Sequence, residues 1–410
     1  HLDEVAPDNP VALTTRDGHS LWVNSLALKR CGIGPRARAP AGGRILRDSR
    51  GYPSGILLEA AAGLVRQSPG FARARAVPSS SDLVRALRSL LRLGITSVHL
   101  MEETPLLHPL QDLRESGDLC LRVTLYRSRE ALDDLLAAGI RSGFGDEWLR
   151  IGGVKLLLDG TLGSQTAWLF RPYQNSDAGC GIPLLRLDEL CDCVRRASAG
   201  GLACAIHAIG DRANAEALTA LAQVQHSPTP LPHRVEHAQL LRGADIPRFA
   251  RLGVVSSMQP CHILGDIDPA ERYWGSRCRW AYPISTLLRS GATLAFGSDA
   301  PVETANPIAG VYAAVNRQTI DGRPLHGWYR REEGIRCLDA LRAYTVGPAG
   351  ASGEAELKGK LLPGYLADIV VLSDDITRQR GKSFLDAKVE FVIVGGRLKY
   401  RRRRAGARTN

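Results

Sequence analysis

Methionine is scarce, with two in 410 residues, and so is lysine, with seven among 53 basic side chains. The nine cysteines include no C-x-x-C pair, Cys191 and Cys193 being the nearest neighbours. Such a sparse, odd-numbered set excludes a disulfide framework and a zinc ribbon, and it suits a reducing, cytoplasmic setting. No apolar run approaches the roughly 18 residues of a membrane helix, so no membrane partner is expected. H-E-x-x-H, G-x-S-x-G, the P-loop and a G-x-G-x-x-G strand–helix fingerprint are all absent, which removes the best-marked metalloprotease, serine-hydrolase and phosphate-binding signatures. The chain opens at His1-Leu2-Asp3-Glu4, in what reads as mid-domain sequence, so no targeting segment is legible.

What is present is globular. Hydrophobic residues make up 44% and charged residues 23%, values that exclude disordered, fibrous and coiled-coil chains. The length fits one large barrel or two ordinary domains. A net charge of +11 invites a nucleic-acid reading. Its distribution weakens that reading, because Arg397, Lys399, Arg401, Arg402, Arg403, Arg404 and Arg408 supply seven of those charges with no acid among them. A frayed basic tail is preferred to a nucleic-acid-binding arm.

Strand and helix patterns alternate from residue 81. Ser81 and Asp82 open an amphipathic helix with Leu83, Leu87, Leu90 and Leu91 on one face, closed by Gly94. Seven apolar or β-branched strands follow: Ile95–Leu100, Leu121–Tyr126, Ile151–Leu158, Leu202–Ile206, Arg234–Glu236, Val254–Met258 and Thr293–Phe296. Helical patterns separate most of them, at Leu187–Ala199, Asp211–Val224, Ala244–Leu252 and Pro283–Leu288. Strands apolar on both faces predict a parallel sheet covered on both sides, one strand short of a (β/α)8 barrel. Residues 1–80 read as an irregular cap, 81–350 as the barrel, and 351–410 as short β elements with the basic tail. In the last segment Val389–Val394, Gly395-Gly396 and Arg397–Tyr400 form a hairpin signal.

In such a barrel the chemistry lies at the C-terminal strand ends. Lys155, His207, His237 and Asp299 all fall there, and imidazole and carboxylate are ligands of hydrolytic Zn²⁺. Each alone has a plain structural reading: a satisfied core histidine, an anion-binding lysine, a helix-capping aspartate. Their joint placement favours metal. Gln259 and His262 face the same mouth and are candidate substrate contacts, as are His19 and Trp22 of the cap. His99 also closes a strand, whereas His233 precedes one and reads as structural.

Several runs carry a family resemblance: GGVKLLLDGTLGSQTAWL, AIHAIGDRANAEAL, HRVEHAQLL, SSMQP and LAFGSDAPVE. They resemble the signatures of amidohydrolase family 3, the branch of the amidohydrolase superfamily that contains N-substituted formamide deformylase. The resemblance spans essentially the whole chain. It implies a distorted (β/α)8 barrel with a binuclear metal centre, most simply zinc, joined to a small β-sandwich built from both chain ends. It further implies that Lys155 is a carboxylated bridging ligand, that His207 and His237 bind the second metal, and that Asp299 binds the first metal and acts as general acid/base. The family's H-x-H pair occurs nowhere in this chain. The resemblance thus implies an N-terminal truncation that removes the first barrel strand and roughly 100 residues or more. The expected activity is hydrolysis of a non-peptide amide-type C–N bond in a small molecule, with a homodimer as the assembly left open. The alternative is a catalytically impaired amidohydrolase scaffold that acts as a binding or regulatory protein.

Overall fold

The computed structural model describes residues 1–72, 78–101, 106–226 and 229–403. Where the sequence reads as an irregular cap, it holds a four-stranded antiparallel sheet. Strands β1 (Ala12–Thr14), β2 (Ser20–Val23), β3 (Gly43–Arg47) and β4 (Pro53–Glu59) lie in the order β1-β2-β4-β3. The two shortest, β1 and β2, show little alternation, whereas the turns between the strands are conspicuous. Gly55, inside β4, has φ +91°, and a Cβ there would lie 2.4 Å from the Val23 carbonyl oxygen, so the strand pair closes only over glycine. Leu21, Val23, Leu57, Ala61 and Val65 form this sheet's own small core.

The barrel strands are β5 (Ser97–Leu100), β6 (Arg122–Ser128), β7 (Leu149–Leu157), β8 (Ala203–Ala208), β9 (Arg234–His237), β10 (Val255–Met258) and β11 (Leu294–Phe296). They form one parallel sheet in chain order, β5 through β11, as strands apolar on both faces require. No eighth parallel strand occurs among the described residues, so β5 and β11 are open edges of a curled, incomplete barrel. Buried residues of β7 to β11 join the covering helices in one large core that includes Val154, Ile206, Val235, Phe249 and Trp274. A second core packs helix Ser80–Leu91 against β6 and the C-terminal sheet.

Local chemistry sets the boundaries. The Ser79 hydroxyl accepts the Asp82 N–H at 3.2 Å, and the Asp82 carboxylate accepts the Ser79 N–H at 3.2 Å, a reciprocal cap. Helix Ile246–Leu252 ends at Gly253 in the left-handed conformation. In β7 the pairing with β6 skips Gly152, a bulge that shifts the alternation. Val154 then points into the helix-covered core while Lys155 lines the barrel interior.

Strands β12 (Ile369–Leu372), β13 (Val389–Val394) and β14 (Arg397–Arg401) form the C-terminal antiparallel sheet, with Gly395 and Gly396 at positive φ in the hairpin turn. Of the expected β-sandwich this single sheet is present, and the N-terminal strands pair among themselves instead of with it. Buried Arg122 locks it to the barrel through a two-pronged bond to Asp368 at 2.7 and 3.0 Å. The basic tail is ordered strand through Arg401 rather than frayed, and Arg402 pairs with Glu390 at 2.7 Å. Arg404 and Arg408 lie outside the described residues. No described helix is long and apolar enough to cross a membrane.

Candidate active site

The C-terminal ends of β7 to β11 open into a cavity of about 1280 Å³. That exceeds the roughly 300–1000 Å³ of most ligand pockets because the space continues down the seam between β5 and β11. Lys155, His207, His237, Gln259, His262 and Asp299 line it from the barrel, and His19 lines it from the cap. Trp22 stands apart, on β2 opposite Ile56, and does not line the cavity.

Four imidazoles form a row across the mouth. Ring centroids are 5.3 Å apart for His19 and His207, 4.5 Å for His207 and His237, and 5.8 Å for His237 and His262. His237 has φ +74° and Asp299 φ +60°, so both strand ends bend through the left-handed region to aim their side chains inward. Non-glycine residues there cost on the order of 1–3 kcal/mol each and gather at functional sites.

Around this row the polar groups are sorted. The Asp159 carboxylate accepts the Trp168, Ile209 and Gly210 N–H groups at 2.8, 3.0 and 2.8 Å, which fixes the loop beneath His207. His207 Nε2 faces the Gly160 carbonyl at 3.3 Å. Burial first, and then neighbouring cationic groups, hold His207 and His237 well below the ordinary imidazole range, so both rings are neutral, the form in which imidazole ligates. Burial also lowers the Lys155 amine, opposed by the Glu236 and Asp299 carboxylates. For Asp299, burial would raise the carboxyl, and the His262 imidazole and Lys155 amine together outweigh it and hold the group low.

Arg234 and Glu236 pair at 2.5 Å on the floor, and Arg234 donates to His99 Nδ1 at 2.7 Å and Ser257 Oγ at 2.6 Å. His99 is therefore an acceptor within the floor network. His233 is structural, with its Nδ1 accepting the Cys204 N–H at 3.0 Å.

Donor atoms of His237, His262 and Asp299 all lie within 4.8 Å of one another. His237 Nδ1 and His262 Nε2 are buried and have no hydrogen-bond partner among the described residues. Two imidazoles and a carboxylate whose ligand atoms come this close are a donor set for a borderline divalent cation. The residues present therefore fit a metal. His207 stands beside this group and Lys155 lines the same cavity.

Reading the sequence alone misses Glu59 and Asp17. The Glu59 carboxylate accepts from His19 Nδ1 at 2.8 Å and from Thr166 Oγ1 at 2.5 Å, orienting the His19 ring toward His207. Asp17 accepts from Thr161 Oγ1 and Ser164 Oγ, both at 2.6 Å, and so clamps the cap onto the β7 loop. Both are contacts between distant segments, and the one sequence signal is the turn Asp17-Gly18 that sets His19 in place.

A parallel αβ barrel with a histidine- and carboxylate-lined mouth at its C-terminal strand ends has the layout of a barrel enzyme's active face. Residues 1–400 match the model of the amidohydrolase family, and the chain belongs to that family. Protein LONG AFTER FAR-RED 3 of Arabidopsis thaliana is 34% identical, over 97% of this chain and 70% of that protein. N-substituted formamide deformylase of Arthrobacter pascens is 28% identical, over 98% of this chain and 75% of that enzyme. Among solved structures, an uncharacterized metal-dependent hydrolase from Pyrococcus horikoshii OT3 superposes with a TM-score of 0.69 at 32% identity, covering 88% of this chain and 71% of that one.

Proposed function

We propose that this chain is a metal-dependent hydrolase that cleaves an amide-type C–N bond of a small molecule. The observation that carries the reading is the convergence of His237, His262 and Asp299, with two buried imidazole nitrogens unpartnered, beside His207 and Lys155. The metal-dependent Pyrococcus relative and the formamide deformylase support the chemistry and the bond type respectively.

His207 and His237 would hold a divalent ion through neutral imidazoles, with zinc the simplest choice for a nitrogen- and oxygen-rich set. Lys155, whose amine burial pushes toward the neutral form, would join them if that neutral amine nitrogen added to the carbon of CO₂ and lost one proton, leaving a carbamate as an anionic oxygen donor. A bound divalent ion supplies an acidified water and a Lewis acid for the substrate carbonyl. Asp299 accepts the proton that the attacking water loses and returns it to the leaving nitrogen, so that amide and water yield acid and amine. His19, held by Glu59, lines the substrate space from the cap, and Gln259 lines it from the barrel.

The test is metal analysis of the purified chain followed by hydrolysis of N-substituted formamides and simple amides. Stoichiometric metal and amine release are expected, and His207→Ala is expected to lower both. A metal-free, stably folded chain without hydrolytic activity would leave a binding or regulatory protein as the answer.

A further inference from the structure

We propose that His262 is a metal ligand, completing with His237 and Asp299 a compact three-donor site that keeps a further position open. This assignment rests on the metal-dependent reading above and takes His262 out of the substrate contacts. Two donors about 2.0–2.1 Å from a tetrahedral ion lie roughly 3.4 Å apart. His262 Nε2 stands 3.4 Å from Asp299 Oδ2. A charge-assisted hydrogen bond would draw the same atoms to about 2.7–2.9 Å. They are not so drawn: Nε2 and the Asp299 carboxylate attract each other across a gap that misses hydrogen-bond geometry, and no other hydrogen-bond partner of Nε2 occurs among the described residues.

The backbone builds this convergence from three strand ends. A single 3₁₀ turn, Pro260–His262, follows β10 and swings the ring back over the mouth. His237 ends β9 and Asp299 follows β11, each at positive φ. His262 is 9% exposed and His237 6% exposed. Rings buried this deeply with a nitrogen short of a well-formed hydrogen bond gain from a cation held among their ligand atoms. Imidazole, imidazole and carboxylate suit a borderline divalent cation such as Zn²⁺ or Co²⁺.

Co²⁺ titration of the full chain, followed by its visible and near-ultraviolet absorption, decides the matter. Losing even a hydrogen-bond partner of a ligand commonly weakens metal binding about 10–100-fold, so His262→Ala should weaken Co²⁺ at least tenfold. His262→Cys should restore binding and add a sulfur-to-cobalt charge-transfer band that the wild type lacks, a signal that only a ligating side chain at this position produces. Wild-type Co²⁺ affinity in His262→Ala, or His262→Cys without the new band, overturns the assignment even where turnover falls. If His237→Ala weakens Co²⁺ while His262→Ala does not, the metal-dependent reading stands and the His262 assignment alone is lost. A wild type that takes up no Co²⁺ overturns the metal-dependent reading itself.

Discussion

Lys155, His207 and His237 stand on β7, β8 and β9, strands paired on both sides, whereas Asp299 follows β11, which is paired on one side only. His207 and His237 are buried, while the Asp299 side chain is 37% exposed to the cavity. The opposite edge, β5, is likewise paired only with β6, and between the two edges the cavity runs down over Leu87, Leu90, Val98 and Val370. Central donors are thus positioned by the packing of the sheet itself. Asp299, one of two site residues at positive φ with His237, lies beyond its strand in a loop that Arg16 reaches through Val302 and Glu303. A half paired on both sides and an edge half meet in one site, which suits an arrangement in which the edge residue, besides serving as a donor, moves a proton. Asp299→Asn tests that division most severely. Turnover should fall about 10²–10⁴-fold, the usual contribution of a positioned acid/base, with metal content still measurable. Full activity in that variant would remove the assigned role.

Much of this division is legible in the sequence. Burial on both faces made the seven parallel strands read as apolar runs, so their number, order and strand-end residues follow from pattern alone, with ends displaced by one or two residues. The N-terminal sheet is hard to see because its strands lack the continuous apolar runs that mark strands of similar length in the barrel, and β4 is interrupted by Gly55. The bulge at Gly152, which turns Lys155 inward, has no sequence signature beyond the glycine pair itself. The Arg234–Glu236–His99 floor and the His19–Glu59 pair join residues far apart along the chain, and local spacing says nothing about such pairings. The sequence places His262 at the mouth, but its closeness to Asp299 depends on a turn after β10 and a loop after β11 meeting across the barrel.

The same contrast should appear in stability. Ile206 on β8 is fully buried in the large core, whereas Leu100 on the open edge strand β5 is half-buried. Ile206→Ala should cost about 2–5 kcal/mol, as large-to-small changes in packed cores do. Leu100→Ala should cost about 1 kcal/mol, since less apolar area leaves the interior. Urea midpoints at a shared m-value measure both. Equal losses would mean that the edge is packed as firmly as the centre.

The smallest effect concerns how the cap is fastened to each half. Asp17 clamps it to the β7 loop through Thr161 and Ser164, and Thr15 adds a third hydroxyl at 2.5 Å. Burial alone would raise this carboxyl, but the three hydroxyls outweigh it and hold the group below the ordinary aspartate range. A carboxyl depressed in the folded state, and ordinary at about 3.9 in the unfolded chain, contributes stability that is present above that value and lost as pH falls through the folded pKa. Asp17→Asn should therefore lower stability by about 1 kcal/mol at neutral pH, a discounted share of a charged hydrogen-bond set, and flatten the acid limb of the unfolding profile. Arg16, 70% exposed, fastens the other half through Glu303 at 2.7 Å. Such surface pairs contribute about 0–1 kcal/mol and are screened by salt, so Arg16→Ala should matter less, and least of all in high salt. An Asp17→Asn protein with the wild-type acid profile would show that the cap is held by its apolar contacts and not by the clamp.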